Sequence, residues 1–352
     1  MFFDLGPKEI QKDLYDRTKE LKLLSGAIEH DERLIIVYGL RRVGKTSLIH
    51  TFLNKNDFPF IFIDIKGIYF EHGAVPLSTL KEAINEEFTK FVSKLGMDRE
   101  LESLEEIESG SITSLLKWIN EWCKKRNLHF IIAFDEAQYL RFGGRVRFDG
   151  IIAWSVDNLS NVTYILTCSE IGMLKNFLKY DDVDAPLYGR FRNEIFLNRF
   201  TKEESMHFLS RGFSEYNVNT DLKELEDAVE KIDGIIGWLT YYGHYRTSSG
   251  LNHKKAVEMV FEEGSKLVSK EIGQLIVRSR KRYTSILNAI AKDINTWSEI
   301  REYVTSKSGK ISDTILNSLL QDLVKLGIVE KEEAVYKIVD PIILHTVKTL
   351  KA

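Results

Sequence analysis

The sequence predicts an α/β chain in three parts: a parallel sheet wrapped in helices, an all-helical segment, and a small module of three helices and a hairpin. Three patterns carry this. Over the first two hundred residues short, largely apolar β-rich runs alternate with helical periods, the pattern of a parallel sheet covered on both faces. After Thr201 the strands vanish and helical periods take over. Beyond the basic run 278–282 three helical stretches are followed by two β-rich runs, the winged-helix order. A chain of 352 residues is long enough for two or three domains at roughly 150 residues each.

The strand candidates, in order, are Arg33–Tyr38, Phe60–Ile65, Leu128–Phe134, Val162–Cys168 and Glu194–Leu197. Each is short and bounded by turn residues, as strands buried on both faces should be. Between them Leu77, Leu80, Ile84, Phe88, Val92 and Leu95 recur at helical spacing, as do Leu115, Ile119 and Trp122; these stripes are expected to face the core. The helical segment reads as Lys202–Tyr216, Leu222–Ile232, Gly237–Tyr245 and a long amphipathic stretch from Lys254 to Val277. In the last module Thr296 with Glu299 forms a capping box, and Ser312 caps a helix that stops at Gly327. The β-rich runs Ile328–Lys331 and Val335–Val339 follow.

Composition excludes several classes. The chain is 43% hydrophobic and 29% charged with 5 prolines, which is ordinary for a globular protein and unlike collagenous, disordered or disulfide-scaffold sequences. Its 49 basic and 52 acidic residues leave a formal charge of −3, so any nucleic-acid contact must come from a local patch. The two cysteines, Cys123 and Cys168, sit in apolar stretches and are expected to be reduced core thiols. Neither a basic, apolar leader nor an 18-residue apolar run is present, which points to the cytoplasm, where the sequons at Asn158 and Asn161 carry no sugar.

The chemistry begins at Gly39-Leu40-Arg41-Arg42-Val43-Gly44-Lys45-Thr46, a full match to G-x-x-x-x-G-K-[ST]. A strand enters it and an apolar-periodic helix, starting with Ser47, leaves it. Such a loop turns its N–H groups onto phosphate oxygens at a helix amino terminus; Lys45 reaches the β- and γ-phosphates and Thr46 ligates Mg²⁺. A second strand ends in Asp135-Glu136. Asp135 is the expected partner of the magnesium, and Glu136 the carboxylate that orients and activates the attacking water. The strand Val162–Cys168 ends in hydroxyls, so Thr167 or Ser169 either touches the γ-phosphate or merely closes the strand. Arg190, in Leu187-Tyr188-Gly189-Arg190 before the last strand, is a candidate finger acting on a neighbouring subunit's ATP, or a solvated surface residue. The loop Arg141-Phe142-Gly143-Gly144-Arg145-Val146-Arg147 is either a grip for a partner or a plain surface loop.

These motifs resemble the archaeal and bacterial ATPase family of the AAA+ class, close to origin-recognition initiators and STAND signalling ATPases. The Gly39–Thr46 loop with its arginine pair, Asp135-Glu136-Ala137-Gln138 and Leu187-Tyr188-Gly189-Arg190 carry the likeness. The resemblance implies a P-loop NTPase core of strand order 5-1-4-3-2 over 1–200, a helical lid over 201–278 and a winged helix over 279–352. It implies a Mg²⁺-dependent ATPase and makes Leu14, Tyr15 and Arg17 part of a segment packing on adenine. One departure is visible: Gly234-Ile235-Ile236-Gly237 has Ile236 where the family shows proline, and no phosphate-sensing arginine follows, leaving His244 and Arg246 as substitutes.

Over 278–352 thirteen basic residues face nine acids. The expected recognition helix shows no arginine near its start, and the expected wing carries Glu330, Glu332 and Glu333, which repel phosphate. The module therefore either contacts DNA, through Arg278, Arg280, Lys281, Arg282 and the lysines 307 and 310, or docks protein. Two functions compete: an ATP-hydrolysing molecular switch, and a nucleotide-regulated binding module with little turnover.

Overall fold

The computed structural model describes residues 1–56, 58–97, 101, 111–276 and 279–349. The chain clusters into two compact units, Pro7–Gly39 with Lys45–Leu197, and Met1–Gly6 with Leu40–Gly44 and Asn198–Ala352.

The first unit holds a five-stranded sheet of β1 (Leu34–Gly39), β2 (Phe60–Asp64), β3 (Phe130–Asp135), β4 (Val162–Cys168) and β5 (Asn193–Leu197). Every pairing is parallel and the order is β2-β3-β4-β1-β5, the expected order met from the other edge. The three central strands are buried along their whole length, whereas edge strands β2 and β5 are buried only in part. That is why the central runs read as unbroken apolar segments. The helices are α1 (Thr18–Glu29), α2 (Lys45–Lys55), α3 (Ile65–His72), α4 (Leu77–Lys94), α5 (Ile112–Lys124), α6 (Phe148–Asn158) and α7 (Ile171–Leu178). Leu80, Ile84, Phe88 and Val92 on α4 and Leu115, Ile119 and Trp122 on α5 are buried, but Leu95, just past the helix end, is 45% exposed. Phe88 meets Trp118, Trp122 and Phe130 edge to face, and its full burial contributes about 1.5–3 kcal/mol. Cys123 and Cys168 are free and buried, as expected; burial pushes the Cys123 thiol up to about 12.

The second unit is helical apart from one hairpin. It contains α8 (Lys202–Glu215), α9 (Leu222–Ile232), α10 (Ile236–Thr247), α11 (His253–Leu275), α12 (Arg280–Ile290), α13 (Trp297–Ser308), α14 (Asp313–Lys325), β6 (Val329–Glu332), β7 (Val335–Ile338) and α15 (Pro341–Thr349). Glu299 accepts from both the N–H and the hydroxyl of Thr296, at 3.2 and 2.6 Å. Ser312 accepts from the Ile315 N–H, and Gly327 follows the helix end with φ +68°. Thus α12, α13, α14 and the antiparallel β6–β7 pair form the expected winged helix; α15, absent from the sequence expectations, adds a further helix. Among the described residues no helix is long and apolar enough to cross a membrane.

The amino terminus is built into this unit. Phe3 is fully buried against Phe208, Phe213 and Tyr216, and the Phe2 N–H donates to Glu215 at 2.8 Å. Space for the Phe3 ring comes from two glycines on different helices: a Cβ on Gly212 or Gly243 would lie 2.2 or 2.3 Å from it. Phe3→Ala should therefore cost about 3–5 kcal/mol in a denaturant titration. Gly212→Ala should be markedly less harmful in the Phe3→Ala background than in the parent, with a coupling of about 0.5–3 kcal/mol. Strict additivity of the two substitutions would show that the glycine is not there for the ring.

Candidate nucleotide and magnesium site

The sheet order sets the first half of the site. Because β4 lies between β1 and β3, with Tyr38 paired to Cys168 and Phe134 to Leu166, the carboxyl ends of three adjacent strands open at one edge. From β1 and α2 come Lys45 and Thr46, from β3 Asp135 and Glu136, and from β4 Thr167 and Ser169. Lys45 is buried, and its Nζ donates to the Gly39 carbonyl at 3.0 Å. The Thr46 hydroxyl donates to Asp135 Oδ2 at 2.9 Å, and Thr167 donates to Oδ1 of the same carboxylate. Burial first, and then the neighbouring charge of Glu136, hold the Asp135 carboxyl above its usual range, against the two hydroxyls and Lys45.

Glu136 has a left-handed backbone, φ 52°, a conformation that costs free energy for a residue with a Cβ. Its N–H donates to Thr167 Oγ1 at 3.0 Å. Its carboxylate accepts from Ser169 Oγ at 2.6 Å, from the Ser169 N–H at 3.2 Å and from Gln138 Nε2 at 2.5 Å. The strand-end hydroxyls thus serve the two carboxylates in this conformation. Gln138, fully buried, leaves its Oε1 without a hydrogen-bond partner. Sequence reading named Gln138 only as part of the family motif, and nothing in its position along the chain marked it as a clasp on Glu136.

These residues fit a Mg²⁺-nucleotide. A buried carboxylate beside a second carboxylate is the environment that a divalent cation relieves, with Thr46 and Asp135 as its protein ligands. Among the described residues no cluster of three or more His, Cys, Asp or Glu is arranged to hold a metal alone. Magnesium at phosphates behaves this way, taking one or two protein ligands and completing its shell with water and substrate.

The five loop residues Leu40–Gly44 group with the helical unit. Arg42 (φ 66°) and Gly44 (φ 94°) have left-handed backbones and Val43 is buried, so the main chain winds into a tight turn between β1 and α2, the kind of turn whose N–H groups can form an anion-binding concavity. The arginine side chains go elsewhere. Arg42 forms two bonds to Glu271 on α11, at 2.9 and 3.2 Å, and stacks 4.2 Å from the Trp238 ring on α10. Its carbonyl accepts from the Gly237 N–H at 2.9 Å, satisfying one of the free amides at the start of α10. Arg41 donates to the Leu326 carbonyl, the last of α14, at 2.9 Å. Ile236, which replaces the family's proline, approaches Gly44 closely enough that a Cβ there would sit 3.7 Å from it. Of the substitutes, Arg246 is held by Glu224 at 2.7 Å.

In the amino-terminal segment Leu14, Tyr15 and Arg17 are buried, and Arg17 pairs with Glu20 at 3.5 Å. The Ser47 hydroxyl accepts from the Lys8 N–H at 3.0 Å, and Thr51 donates to the Lys8 carbonyl at 3.2 Å, pinning this segment on α2. Arg190 is bound by Asp157, with Nε to Oδ1 at 2.9 Å, and by the Pro186 carbonyl. Asp157 closes α6 just before β4, and Arg190 precedes β5, so both lie at the amino-terminal edge of the sheet. The carboxylates are a strand's length away, roughly 17 Å for five residues. In the arginine-rich stretch, 137–142 is a 3-10 turn rather than open loop. Arg141 pairs with Glu170 at 3.0 Å and Arg147 with Asp149 at 2.7 Å. Arg278 lies outside the described residues; Arg280 and Lys281 are exposed on the first turn of α12, with Arg282 half-buried.

Residues 14–241 match the model of an ATPase domain predominantly from Archaea, and residues 278–339 that of the MCM protein C-terminal winged helix-turn-helix domain. Among solved structures, the Walker-type ATPase paby2304 of Pyrococcus abyssi is 38% identical, with 99% of this chain and 100% of that one covered and a TM-score of 0.91. The ORC2 protein of Aeropyrum pernix, described as ADPNP-ADP complexes, shares 14% identity over 99% and 96% of the chains at a TM-score of 0.67. Cdc6p from Pyrobaculum aerophilum shares 15% over 98% and 97% at 0.52. The latter two establish likeness of fold alone. No curated protein matches the chain. With a family model spanning most of its length and a relative aligned end to end, the chain belongs to the family of ATPase domains found predominantly in Archaea.

Proposed function

We propose that the protein is a slow Mg²⁺-dependent ATPase that works as a molecular switch, with core 1–200, lid 201–278 and winged helix 279–352, and that its winged-helix module contacts DNA. The observation that carries the enzymatic reading is the convergence of Lys45, Thr46, Asp135 and Glu136 on one sheet edge, with Thr46 bonded to Asp135. Bound magnesium supplies charge neutralisation at the β- and γ-phosphates. Lys45 leaves the Gly39 carbonyl to face those phosphates, while Leu14, Tyr15 and Arg17 flank the base. Glu136 orients the attacking water and accepts its proton.

Slowness follows from the clasp on Glu136. Three hydrogen bonds from Ser169 and Gln138 converge on one carboxylate oxygen, and they hold the side chain in a fixed orientation in which only Oε1 is left to receive a proton. The same observation favours the second reading, a nucleotide-regulated module with almost no turnover. The switch reading rests on Arg42, which joins the phosphate loop to α10 and α11.

Steady-state phosphate release alongside calorimetric ATP binding separates the two readings. Glu136→Gln should bind Mg·ATP as the parent does and lose at least 100-fold in turnover, because its amide accepts no proton; Lys45→Ala should lose tight binding. A Glu136→Gln chain hydrolysing at the parent rate overturns the catalytic assignment. A parent with no release above background selects the binding module.

Assembly is tested by concentration. Should Arg190 exchange Asp157 for a neighbouring chain's transferring phosphoryl group, the rate per chain rises with protein concentration, and Arg190→Ala abolishes the rise while leaving nucleotide affinity intact. A constant rate per chain, with or without Arg190, refutes the finger.

Coupling is tested by amide hydrogen exchange. ATP should change exchange in α10 and α11 of the parent. In Arg42→Ala that change should vanish although ATP still binds; its persistence would show that the switch does not run through this arginine.

A further inference from the structure

A groove of about 670 Å³ opens between the carboxyl half of α11 and helices α12, α13 and α15. Its rim carries Arg280, Lys281, Lys292, Lys307 and Lys348, all exposed, and no carboxylate lines it. Among the described residues none of the five forms an ion pair; Lys292 donates to the Tyr303 hydroxyl at 3.1 Å. Elsewhere on the helical unit several basic side chains find acids, as Arg301 does with Asp313 and Arg42 with Glu271. Five like charges gathered without counter-charge repel one another, and an anionic ligand removes that repulsion.

The spacing speaks for an extended ligand. Lys281, Thr284, Ser285 and Asn288 on α12, and Lys292 two residues past its end, line the groove, and a helix of eleven residues at about 1.5 Å each sets the two lysines roughly 16 Å apart. One nucleic-acid strand advances about 3.4 Å per phosphate, so this row alone spans about five phosphates. A lone phosphate or a nucleotide would leave most of it unused. The Thr284 hydroxyl and the Asn288 amide are neutral donors of the kind that phosphate and sugar oxygens take, whereas the buried Ser285 hydroxyl donates to the Lys281 carbonyl at 2.9 Å.

The usual reading face of a winged helix is poorly equipped by comparison. On α14 Asp313 is paired with Arg301, Asn317 accepts from the Trp297 indole at 2.7 Å, and Ile315 is exposed. The hairpin adds Glu330, Glu332 and Glu333. We infer that the phosphodiester backbone of DNA lies in the α11–α12–α13–α15 groove, on the face of the module away from the α14 helix and the hairpin. This rests on the proposed DNA contact and assigns it a place: recognition is of the backbone, without base readout.

Fluorescence anisotropy of the full chain with a labelled 30-base-pair duplex and a 30-nucleotide single strand tests this between 50 and 200 mM salt. With up to five phosphates neutralised, duplex affinity should fall by about 10²–10³-fold across that range. The variant Lys281→Gln/Lys292→Gln/Lys307→Gln should bind at least 30-fold more weakly at 50 mM salt and show a log–log slope shallower by about 2.7. Thr314→Ala/Ser318→Ala, on exposed positions of α14, should change affinity less than twofold. Should the triple variant fail to fold, Lys307→Gln/Lys348→Gln, on two separate helices, must show the same direction. Loss of binding on the α14 substitutions with none on the groove substitutions overturns the groove and leaves the DNA contact standing. No binding of either DNA at 50 mM salt overturns both. Preference between duplex and single strand identifies the source of the backbone, whereas tripolyphosphate displacing DNA at equal phosphate concentration would show a small-anion site and refute the inference.

Discussion

Two adjacent carboxylates at the end of a buried strand are the constraint around which the sheet-bearing unit is organised. Burial, and then the charge of Glu136 beside it, raise the cost of ionising Asp135. The two acids are tolerated because hydroxyl and amide donors from neighbouring strands converge on them: Thr46 after β1, Thr167 and Ser169 at the end of β4. In the observed order β4 pairs with β3 and brings Thr167 and Ser169 directly beside the acids, while Thr46 reaches Asp135 from the start of α2. The topology and the polar network thus support each other.

Arg42 is the corresponding constraint in the helical unit. Three parts of one residue are used: the carbonyl caps α10, the guanidinium face stacks on Trp238, and its edge is bonded to Glu271. Trp238 in turn donates to Asp340 at 2.9 Å, and Asp340 accepts from the Ile342 and Ile343 N–H groups at the start of α15. A fully buried tryptophan thus stands between the phosphate-loop arginine and the last helix. Arginine suits this place better than lysine because a planar guanidinium can stack and pair at once.

Much of this was legible in the sequence, for identifiable reasons. Five apolar runs marked the strands, the central three most plainly because strands buried along their whole length have no polar alternation to dilute them; β4 has its expected bounds and the other four differ from expectation only at their ends. Helix starts at Thr296 and Ser312 were readable because capping uses local side chains. Lys45, Thr46, Asp135 and Glu136 were singled out by spacing and strand context, and the fold brings them to one end of the sheet. What escaped was non-local. Phe2 and Phe3 looked like an unremarkable terminus, since their partners Phe208, Phe213 and Tyr216 lie two hundred residues away. The Arg41-Arg42 pair read as phosphate-binding by proximity, whereas the side chains run to Leu326 and Glu271. The helix Pro341–Thr349 followed an expected hairpin and its apolar run, Ile342-Ile343-Leu344, is as compatible with a strand as with a helix. The clasp by Ser169 and Gln138 needed the register of two strands to become visible.

One of the helices that Arg42 contacts, α11, also bears the cationic groove, and α15 is reached from Arg42 through Trp238. Glu271, its ion-pair partner, is followed on α11 by Ile272 and Ile276, which line the groove. Asp340, reached through Trp238, starts α15, which carries Lys348 at its other end. A shift of the phosphate loop that breaks the Arg42 contacts would release α11 and α15 together, altering the separation of Lys348 from Lys281 and Lys292. If the groove holds a DNA backbone, its affinity then depends on what the loop holds. Linkage makes that dependence reciprocal: DNA seated between α11 and α15 must change nucleotide affinity by the same factor. A typical coupling of about 1–3 kcal/mol corresponds to roughly 5- to 150-fold. The single arginine–carboxylate pair is enough to carry the lower end of that range, and the stack on Trp238 adds to it. The loop therefore connects to the groove-bearing helices by two routes, directly through Arg42 and Glu271 to α11 and through Arg42, Trp238 and Asp340 to α15, and neither passes through the five-stranded sheet.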